Sequence, residues 1–408
     1  MLTYTPTQTN WETRYAARMG RVTQSAIREI LKLLADPSVI SLAGGIPAPE
    51  LFPVARLQGA YHEVLAQHAA QALQYSATEG ITALREEIAK MMQAQGVPVE
   101  IDNVLITSGS QQGLDLVARV LVDPNSPVVI SEPAYVGAIQ ALNSNEASYV
   151  SVPMDDRGMV TDHISEVFAI QHPRLVYSVP NFDNPSGTTM TLARRELLLE
   201  AAHMHGVPVI EDDPYRALRY EGRDVPGLLA LDTRDRPLDA SNVIYLGSFS
   251  KIVTPGLRVA WVVASRPLLQ KLVLVKQGAD LHTNTINQMV ILNLLQSGFL
   301  KDHIETLKET YQRRRDVMLS ALQAEFPAWT SWTHPEGGMF VWVTLPEKLD
   351  CVEILKVALE HKVAFVPGNA FYATKPGCNH FRLSFSNPSE ANIAEGITRL
   401  GKVLRRFE

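Results

Sequence analysis

The sequence has little of what marks secreted or membrane-spanning proteins. Only two of its 408 residues are cysteines, Cys351 and Cys378. Two cysteines are too few for a disulfide framework, and such sparse use is typical of proteins in a reducing cytosol. No run of about 18 apolar residues occurs, so no helix of membrane-spanning length is predicted. The first residues, MLTYTPTQTNWETRYAARMGR, lack the apolar core of a signal peptide, and we therefore expect a cytoplasmic protein with no membrane partner.

Basic blocks and clusters of metal ligands are also missing. The formal net charge is −6 and no segment concentrates Lys and Arg, which argues against nucleic acid as a partner. His203 and His205 alternate in AAHMHG like ligands on a strand, but no cysteine or acidic cluster accompanies them, so no metal site is expected. Apolar residues, by contrast, make up 46% of the chain, which is enough to build a large core.

Short apolar runs alternate with helical patterns along the chain. Because such runs are typical of buried parallel strands, they predict an α/β fold with a mostly parallel sheet and helices on both faces. After the last of these parallel strands, the apolar run RVAWVVAS is predicted to add an antiparallel strand. The parallel strands are predicted in NVLITSGS (103–110), SPVVISEPAY (126–135), RLVYSVPNFDNPSG (174–187), VPVIEDDPY (207–215) and NVIYLGSFSK (242–251).

The same pattern divides the chain into three parts. Residues 1–40 are predicted to form an N-terminal segment whose helix, SAIREILKLLAD, packs on a smaller domain. Residues 41–290 are predicted to form the large domain. Residues 291–408 mix short strands with helices and are predicted to form the smaller α/β domain.

Polar side chains stand at the end of every predicted parallel strand. In parallel α/β sheets, ligands bind outside the carboxyl ends of the strands, so we expect these side chains to meet in one pocket. Turn or helix-cap chemistry explains any one of them separately, but explains all five groups poorly. They are Ser108, Gly109, Ser110 and Gln111; Tyr135; Asn184; Asp212 and Tyr215; and Ser248, Ser250 and Lys251.

The types of these residues indicate a particular cofactor. The segment SGSQQ opens a helix whose backbone N–H groups suit a phosphate, and Arg258 adds a cationic fork beside it. Lys251, in a largely buried cleft, is a candidate for Schiff-base formation. Asp212 is a candidate partner for a pyridinium nitrogen, whereas its neighbour Asp213 is interpreted as a solvated loop charge. A lysine, a phosphate site and an acidic partner together describe pyridoxal 5′-phosphate.

The sequence resembles the fold-type-I pyridoxal-phosphate aminotransferases of class I/II over nearly its whole length, from about Arg21 to Leu404. It is similar above all to the branch of 2-aminoadipate and kynurenine aminotransferases, which includes the broad-specificity enzyme of bacterial lysine biosynthesis. The resemblance implies a large domain with a mostly parallel sheet of seven-stranded type and a smaller α/β domain. The motifs that carry it are SLAGGIPAPELFP, LQYSATEG, TSGSQQGLDL, EPAY, NPSG, EDDPY, YLGSFSKIVTPGLRVAW, KQGADLHT, PEGGMFVW, VAFVPG and FRLSFS.

The resemblance also implies roles for the site residues. Lys251 binds the cofactor covalently and moves the proton, while Asp212 faces the pyridine nitrogen. Tyr215 and Asn184 face the 3-oxygen of the cofactor, and Tyr135 stacks on its ring. The phosphate is held by Ser110, Gln111, Ser248, Ser250 and Arg258, and by Tyr75 from the neighbouring subunit of a homodimer with shared active sites.

Substrate-binding roles are implied in the same way. Arg382 holds the α-carboxylate, helped by Asn184 and the backbone near Gly45. Arg28 recognises the distal carboxylate of acidic substrates, and the loop SLAGGIPAPELFP lets its helix shift. The residue pattern alone favours surface arginines for Arg382 and Arg28, and a core or interface aromatic for Tyr75.

The function expected from this resemblance is amino-group transfer between an L-amino acid and a 2-oxo acid by a ping-pong mechanism. Glutamate and 2-oxoglutarate are the expected common pair, with 2-aminoadipate, leucine-like or aromatic donors. Two alternatives remain at this point. The same fold also supports decarboxylation, racemisation and elimination. Transcription regulators with an aminotransferase-like domain carry an added DNA-binding module, and no helix-turn-helix pattern precedes residue 21 here.

Overall fold

The computed structural model describes residues 9–22, 36, 38–374 and 377–407. Arg28 and nearly all of the predicted helix that contains it lie outside the described residues. Within the described ranges, no helix is both long enough and apolar enough to cross a lipid bilayer.

One large sheet organises the fold. In the described residues it has eight strands, in the order β2-β9-β8-β7-β6-β3-β4-β5. Its five central strands, from β8 to β4, run parallel, and β9 is antiparallel to both of its neighbours, as predicted for RVAWVVAS. A two-residue strand, β5, pairs with the end of β4 and brings the sheet to eight. The strands are β2 Val104–Thr107, β3 Pro127–Glu132, β4 Ser148–Asp155, β5 Gly158–Met159, β6 Leu175–Ser178, β7 Val209–Asp212, β8 Val243–Ser248 and β9 Ala260–Val263.

Helices cover both faces of this sheet. Successive side chains of a strand point to opposite faces, and in β3 Val128 and Ile130 join one apolar cluster while Val129 joins the other. Burial on both faces explains why the central strands are continuous apolar runs. The helices are α1 Val54–Ala72, α2 Thr82–Gln93, α3 Ser110–Leu121, α4 Val136–Ser144, α5 Ile164–Gln171, α6 Leu192–His205, α7 Leu228–Asp232, α8 Arg266–Ala279, α9 Thr285–Gln296, α10 Phe299–Glu325, α11 Cys351–Glu360 and α12 Glu390–Leu404.

A smaller sheet is built from the last part of the chain. Its order is β10-β11-β14-β13, with every pair antiparallel. The early strand β1, Ile40–Ser41, pairs in parallel with β12, Val363–Ala364, and so joins the start of the described core to the C-terminal region. The other strands are β10 Ser331–Trp332, β11 Phe340–Thr344, β13 Val366–Pro367 and β14 His380–Ser384. The domain boundaries at 40 and 290 remain predictions.

Candidate active site

The carboxyl ends of five strands of the large sheet meet at one cavity of about 170 Å³. Since β9 is antiparallel to both β2 and β8, the end of β2 lies on the same edge as the ends of the parallel strands. Eleven residues predicted from the sequence line this cavity: Gly45, Ser110, Gln111, Tyr135, Asn184, Asp212, Tyr215, Ser248, Ser250, Lys251 and Arg258.

Lys251 follows the end of β8 and points its amine into the cavity. The Nζ atom lies 3.4 Å from the carbonyl oxygen of Gly45 and 5.9 Å from the ring centroid of Tyr215. Burial, together with the positive charges of Arg382 and Arg258, lowers the pKa of this lysine to about 8, although Asp212 partly opposes the shift. The amine is therefore much more available as a neutral nucleophile or base than that of an exposed lysine.

Asp212 is the last residue of β7 and presents an unpaired oxygen. Its Oδ2 accepts a hydrogen bond of 2.8 Å from the hydroxyl of Tyr177, whereas its buried Oδ1 has no hydrogen-bond partner among the described residues. Burial raises the pKa of this carboxyl to about 7, Tyr177 opposes the rise and Asp213 adds to it. Because a buried unpaired carboxylate oxygen is costly, this atom fits the protonated nitrogen of a pyridine ring.

A cationic turn forms the opposite end of the cavity. Gly109 caps the start of α3 with φ +86°, and a Cβ atom there would overlap the guanidinium of Arg258. Arg258 also donates from Nη2 to the carbonyl oxygen of Ser108 at 3.4 Å. A helix N-terminus with an arginine over it is a favourable site for a phosphate. The residues present therefore fit both ends of pyridoxal phosphate.

Arg382 lies in β14 of the smaller sheet and reaches the cavity through its contacts with Asn184 and Ala43, without lining the cavity itself. It is only 2% exposed; its Nη1 donates to Asn184 Oδ1 at 2.7 Å and its Nη2 to the carbonyl oxygen of Ala43 at 2.8 Å. The guanidinium carbon lies 4.4 Å from the ring centroid of Phe340 and 5.1 Å from that of Phe371. Burial lowers the pKa of Arg382 to about 10. Its two hydrogen-bond acceptors are neutral, so the alternative of a surface-paired arginine is wrong, and the charge is available to a carboxylate.

Some residues near the cavity escaped the sequence reasoning. Asp213 is 5% exposed and accepts a hydrogen bond of 2.9 Å from Asn181, so the interpretation as a solvated loop charge is wrong. The backbone N–H of Asp213 donates to the carbonyl oxygen of Leu246. The pairing of β7 with β8 therefore extends to Asp213 and keeps this residue inside the protein. One feature of the sequence could have identified Tyr177 as a site residue: a tyrosine in a buried strand needs a hydrogen-bond partner for its hydroxyl.

Tyr75, which the sequence assigned to the phosphate, lies apart from the cavity. Tyr75 is 78% exposed and packs edge-on against His282 with ring centroids 5.8 Å apart. Its assignment to a neighbouring subunit stays a prediction, and Arg28 lies outside the part of the chain that is described. His203 and His205 stand at the end of α6, and the described residues hold no cluster of metal ligands.

A lysine amine, an acidic partner and an anion-binding turn meet at one edge of the large sheet, and a buried arginine of the smaller sheet lies beside them. Together they define a group-transfer enzyme acting on carboxylate substrates. The chain belongs to the aminotransferase class I and II family, whose model matches residues 37–400. It is an aminotransferase, as the resemblance implied.

Individual relatives match along nearly the whole chain. The 2-aminoadipate transaminase of Thermus thermophilus is 43% identical over 97% of this chain and 98% of its own length. Aromatic-amino-acid aminotransferase 1 of Thermococcus litoralis is 42% identical over 97% of this chain and 95% of its own. The crystal structure of an α-aminoadipate aminotransferase from Thermus thermophilus, complexed with N-(5′-phosphopyridoxyl)-L-leucine, superposes with a TM-score of 0.91 at 42% identity, covering 98% of this chain and 99% of that one. The predicted fold class is confirmed.

Proposed function

We propose that the protein binds pyridoxal 5′-phosphate in this cavity and transfers amino groups between L-amino acids and 2-oxo acids by a ping-pong mechanism. The observation that carries the proposal is the unpaired buried Oδ1 of Asp212, in the same cavity as the amine of Lys251. The phosphopyridoxyl compound named for the crystallised relative supports the same cofactor.

The chain's own groups divide the work. Arg258, Ser248, Ser250 and the first residues of α3, Ser110 and Gln111, hold the phosphate. Asp212 keeps the ring nitrogen protonated, and the hydroxyl of Tyr177 fixes the orientation of that carboxylate. Asn184 Nδ2 lies 3.5 Å from the Tyr215 hydroxyl; these two side chains would bind the 3-oxygen of the cofactor, and Tyr135 would hold its ring.

Arg382 and Lys251 act on the substrate. Arg382, with Asn184 and the backbone at Gly45, holds the α-carboxylate and so orients the α-carbon. When bound, pyridoxal phosphate supplies an electron sink for the pair that the α-carbon retains on losing its proton. The amine of Lys251 would take that proton from the α-carbon as the general base and hold it on Nζ.

We propose glutamate and 2-oxoglutarate as one substrate pair and 2-aminoadipate, leucine-like or aromatic amino acids as the other. The names of the two relatives, one for 2-aminoadipate and one for aromatic residues, support both classes of donor. The test is a panel of amino donors with 2-oxoglutarate, read as kcat/KM and as product stoichiometry. A transaminase forms one glutamate for each donor consumed, whereas a decarboxylase, racemase or lyase does not.

The first prediction concerns acidic substrates and depends on the role that the resemblance gives to Arg28. Arg28→Ala is expected to lower kcat/KM for dicarboxylic substrates, because the distal carboxylate loses its charged partner. The loss of transition-state stabilisation should be about 2–4 kcal/mol. Half-reactions with leucine or aromatic donors should change little. Arg18→Ala, which removes an exposed arginine, is the control. An equal loss for both classes of donor would assign distal recognition to another residue.

The second prediction concerns pH. Burial lowers the pKa of Lys251 from 10.5 to about 8, so in cofactor-free protein its labelling by a small amine-selective reagent should rise through about pH 8. In denaturant the rise should move toward the higher value. The unfolded chain then binds more protons than the native chain between these pH values, so this lysine makes the native state less stable below about pH 8 and the penalty fades as pH rises. A labelling profile that does not move on unfolding would contradict the shift.

We also propose a homodimer with shared active sites. The exposure of Tyr75, away from the cavity of its own chain, supports a role across a subunit boundary. The division into an N-terminal segment, a large and a smaller domain is proposed with it, as is a cytoplasmic location, which the sparse cysteines support.

The third prediction tests the shared sites. Mixing inactive Lys251→Ala and Tyr75→Ala chains should restore activity, because a mixed dimer has one site in which both residues are intact; random mixing gives about one such site in four. The matched control is Lys251→Ala mixed with Arg382→Ala. Arg382 donates a hydrogen bond to Asn184 of its own chain, so Arg382 and Lys251 serve the same site of one chain. Every site in that mixture therefore lacks one of the two residues. Restoration in both mixtures, or in neither, would remove Tyr75 from the neighbouring site.

A further inference from the structure

Ser108, the residue before the anion-binding turn, is held by three different parts of the chain. Its N–H donates to Gln112 Oε1 at 2.7 Å, and its hydroxyl donates to Asp280 Oδ2 at 2.9 Å. Its carbonyl oxygen accepts from Arg258 Nη2 at 3.4 Å. All three polar groups of this residue are therefore used, and the path of the backbone into Gly109 is fixed from three sides.

The support behind Ser108 is an ion pair between Lys276, which is buried, and Asp280, which is partly exposed. Lys276, near the end of α8, has a fully buried side chain, and its Nζ lies 2.6 Å from Asp280 Oδ1 and 3.2 Å from Gln112 Oε1. Gln112 in turn donates from Nε2 to Asp280 Oδ2 at 2.7 Å. Asp280 thus accepts from Lys276, Gln112 and Ser108 together, which joins the end of α8 to the first turn of α3.

The burial of the Lys276 charge fixes the position of the Asp280 carboxylate. A buried ammonium without a partner is strongly unfavourable, so Lys276 holds Asp280 in place. Burial lowers the pKa of Lys276, and Asp280 opposes that shift. Neither side chain lines the cavity that contains Lys251. Among the described residues, the hydrogen bonds that lead from the pair to the anion-binding turn run through Gln112 and Ser108.

We infer that Lys276, Asp280 and Gln112 are positioning residues that set the anion-binding turn Ser108–Ser110, and with it the grip of the enzyme on the cofactor phosphate. The inference rests on the proposed function, since it takes the ligand of that turn to be a phosphate. It separates phosphate affinity from the chemistry at the other end of the cavity, because Asp212 and Lys251 have no contact with the ion pair.

The experiment compares pyridoxal phosphate with pyridoxal, which lacks the phosphate. Dissociation constants of both compounds are measured for cofactor-free protein, and the ratio between them isolates the phosphate contribution because everything contributed by Lys251 and Asp212 cancels. Asp280→Ala should weaken pyridoxal phosphate about tenfold and leave pyridoxal unchanged. The double variant Lys276→Met with Asp280→Ala removes the isolated buried cation and should show the same change if the single variant folds poorly. Ser108→Ala should shift the ratio in the same direction by less.

The matched control is Asp115, which lies on α3, the helix that begins at the anion-binding turn. Asp115 pairs with Arg119 in α3 at 2.8 Å, and its side chain is 26% exposed, as is that of Asp280. Asp115→Ala removes a carboxylate of the same exposure, from an ion pair that has no hydrogen bond to Ser108, so it should leave the ratio unchanged even if it lowers Tm.

The outcomes separate the two claims. If the unaltered protein binds pyridoxal as tightly as pyridoxal phosphate, the proposed cofactor site itself is wrong. If it prefers the phosphate and the double variant keeps the full preference, the inference is overturned while the proposed function stands. A ratio that falls equally in Asp115→Ala also overturns it, because the loss would then reflect the stability of α3 in general.

Discussion

Lys251→Ala is expected to lower kcat by about 10³- to 10⁴-fold, because the variant lacks the base that moves the substrate proton. The amine is the buried lysine group of the cavity, with its pKa brought to about 8. The cationic turn and Asp212 remain, so the variant should still take up pyridoxal phosphate. Its visible absorbance should lose the component that borohydride abolishes in the unaltered enzyme. Stopped assays with 2-oxoglutarate and a preferred donor measure the loss.

Two variants make this result specific. Lys251→Arg keeps a positive charge but places no primary amine in the cavity, and it should be as inactive as Lys251→Ala. Lys271→Ala removes an exposed lysine of α8 and should retain full activity. Substantial turnover by either substitution at position 251 would show that another group moves the proton.

Arg382→Ala should lower kcat/KM for every amino donor by about 10²-fold or more, whatever its side chain. The substrate α-carboxylate then enters a buried site without its counter-charge, and losing one partner of such a pair costs about 2–5 kcal/mol. Because Arg382 contacts Asn184 and Ala43 and does not line the cavity that holds Lys251, the absorbance of bound cofactor should survive. Uniformity across donors distinguishes this arginine from the proposed side-chain recognition by Arg28.

Arg313→Ala is the control for the loss of an arginine. Arg313 is 59% exposed and pairs with Glu390 on the surface, so its removal should leave kcat/KM within about twofold. A loss for Arg382→Ala confined to acidic donors would place the α-carboxylate elsewhere. Loss of cofactor absorbance would show that the arginine supports the fold of the cavity instead.

Local patterns were sufficient to predict most of the sheet. Continuous apolar runs reveal strands that are buried on both faces, and the polar residue after each run marks its carboxyl end. That is why the sequence alone predicted that Asp212 and Lys251 lie in one pocket. The antiparallel direction of β9 followed from the same reasoning, whereas the two-residue β5 exists only through its pairing with β4 and leaves no periodic signal.

What could not be predicted depends on contacts between distant segments. Phe340 reads as an ordinary core residue, and only the fold brings its ring against the guanidinium of Arg382. Asp213 looks like a loop charge because the sequence does not show that Leu246 accepts its N–H. The partnership between Lys276 and Asp280 follows helical spacing, but its link to Ser108 crosses more than a hundred residues of chain.

The loop SLAGGIPAPELFP is more constrained than its glycines and prolines suggest. The carbonyl oxygen of Ile46 accepts from the Ser386 hydroxyl at 2.7 Å, and the N–H of Ala48 donates to the Tyr311 hydroxyl at 3.1 Å. Glu50 forms an ion pair with Arg314. From Ile46 to Glu50 the loop is fastened to α10 and to the segment that follows β14. That the loop lets the preceding helix shift stays a prediction.

The origin of the groups around the cavity has a consequence for how such an enzyme can diversify. The groups assigned to the cofactor on this chain come from strand ends of the large sheet, where a change of length or register in one strand disturbs its neighbours. Of the groups assigned to the substrate, Gly45 and Arg382 come from the segment after β1 and from the smaller sheet, while Asn184 is shared with the cofactor side. Mutations around Gly45 and Arg382 can therefore accumulate while the cofactor side is preserved. Relatives named for 2-aminoadipate and for aromatic amino acids, each near 42% identity to this chain, are what that partition would produce.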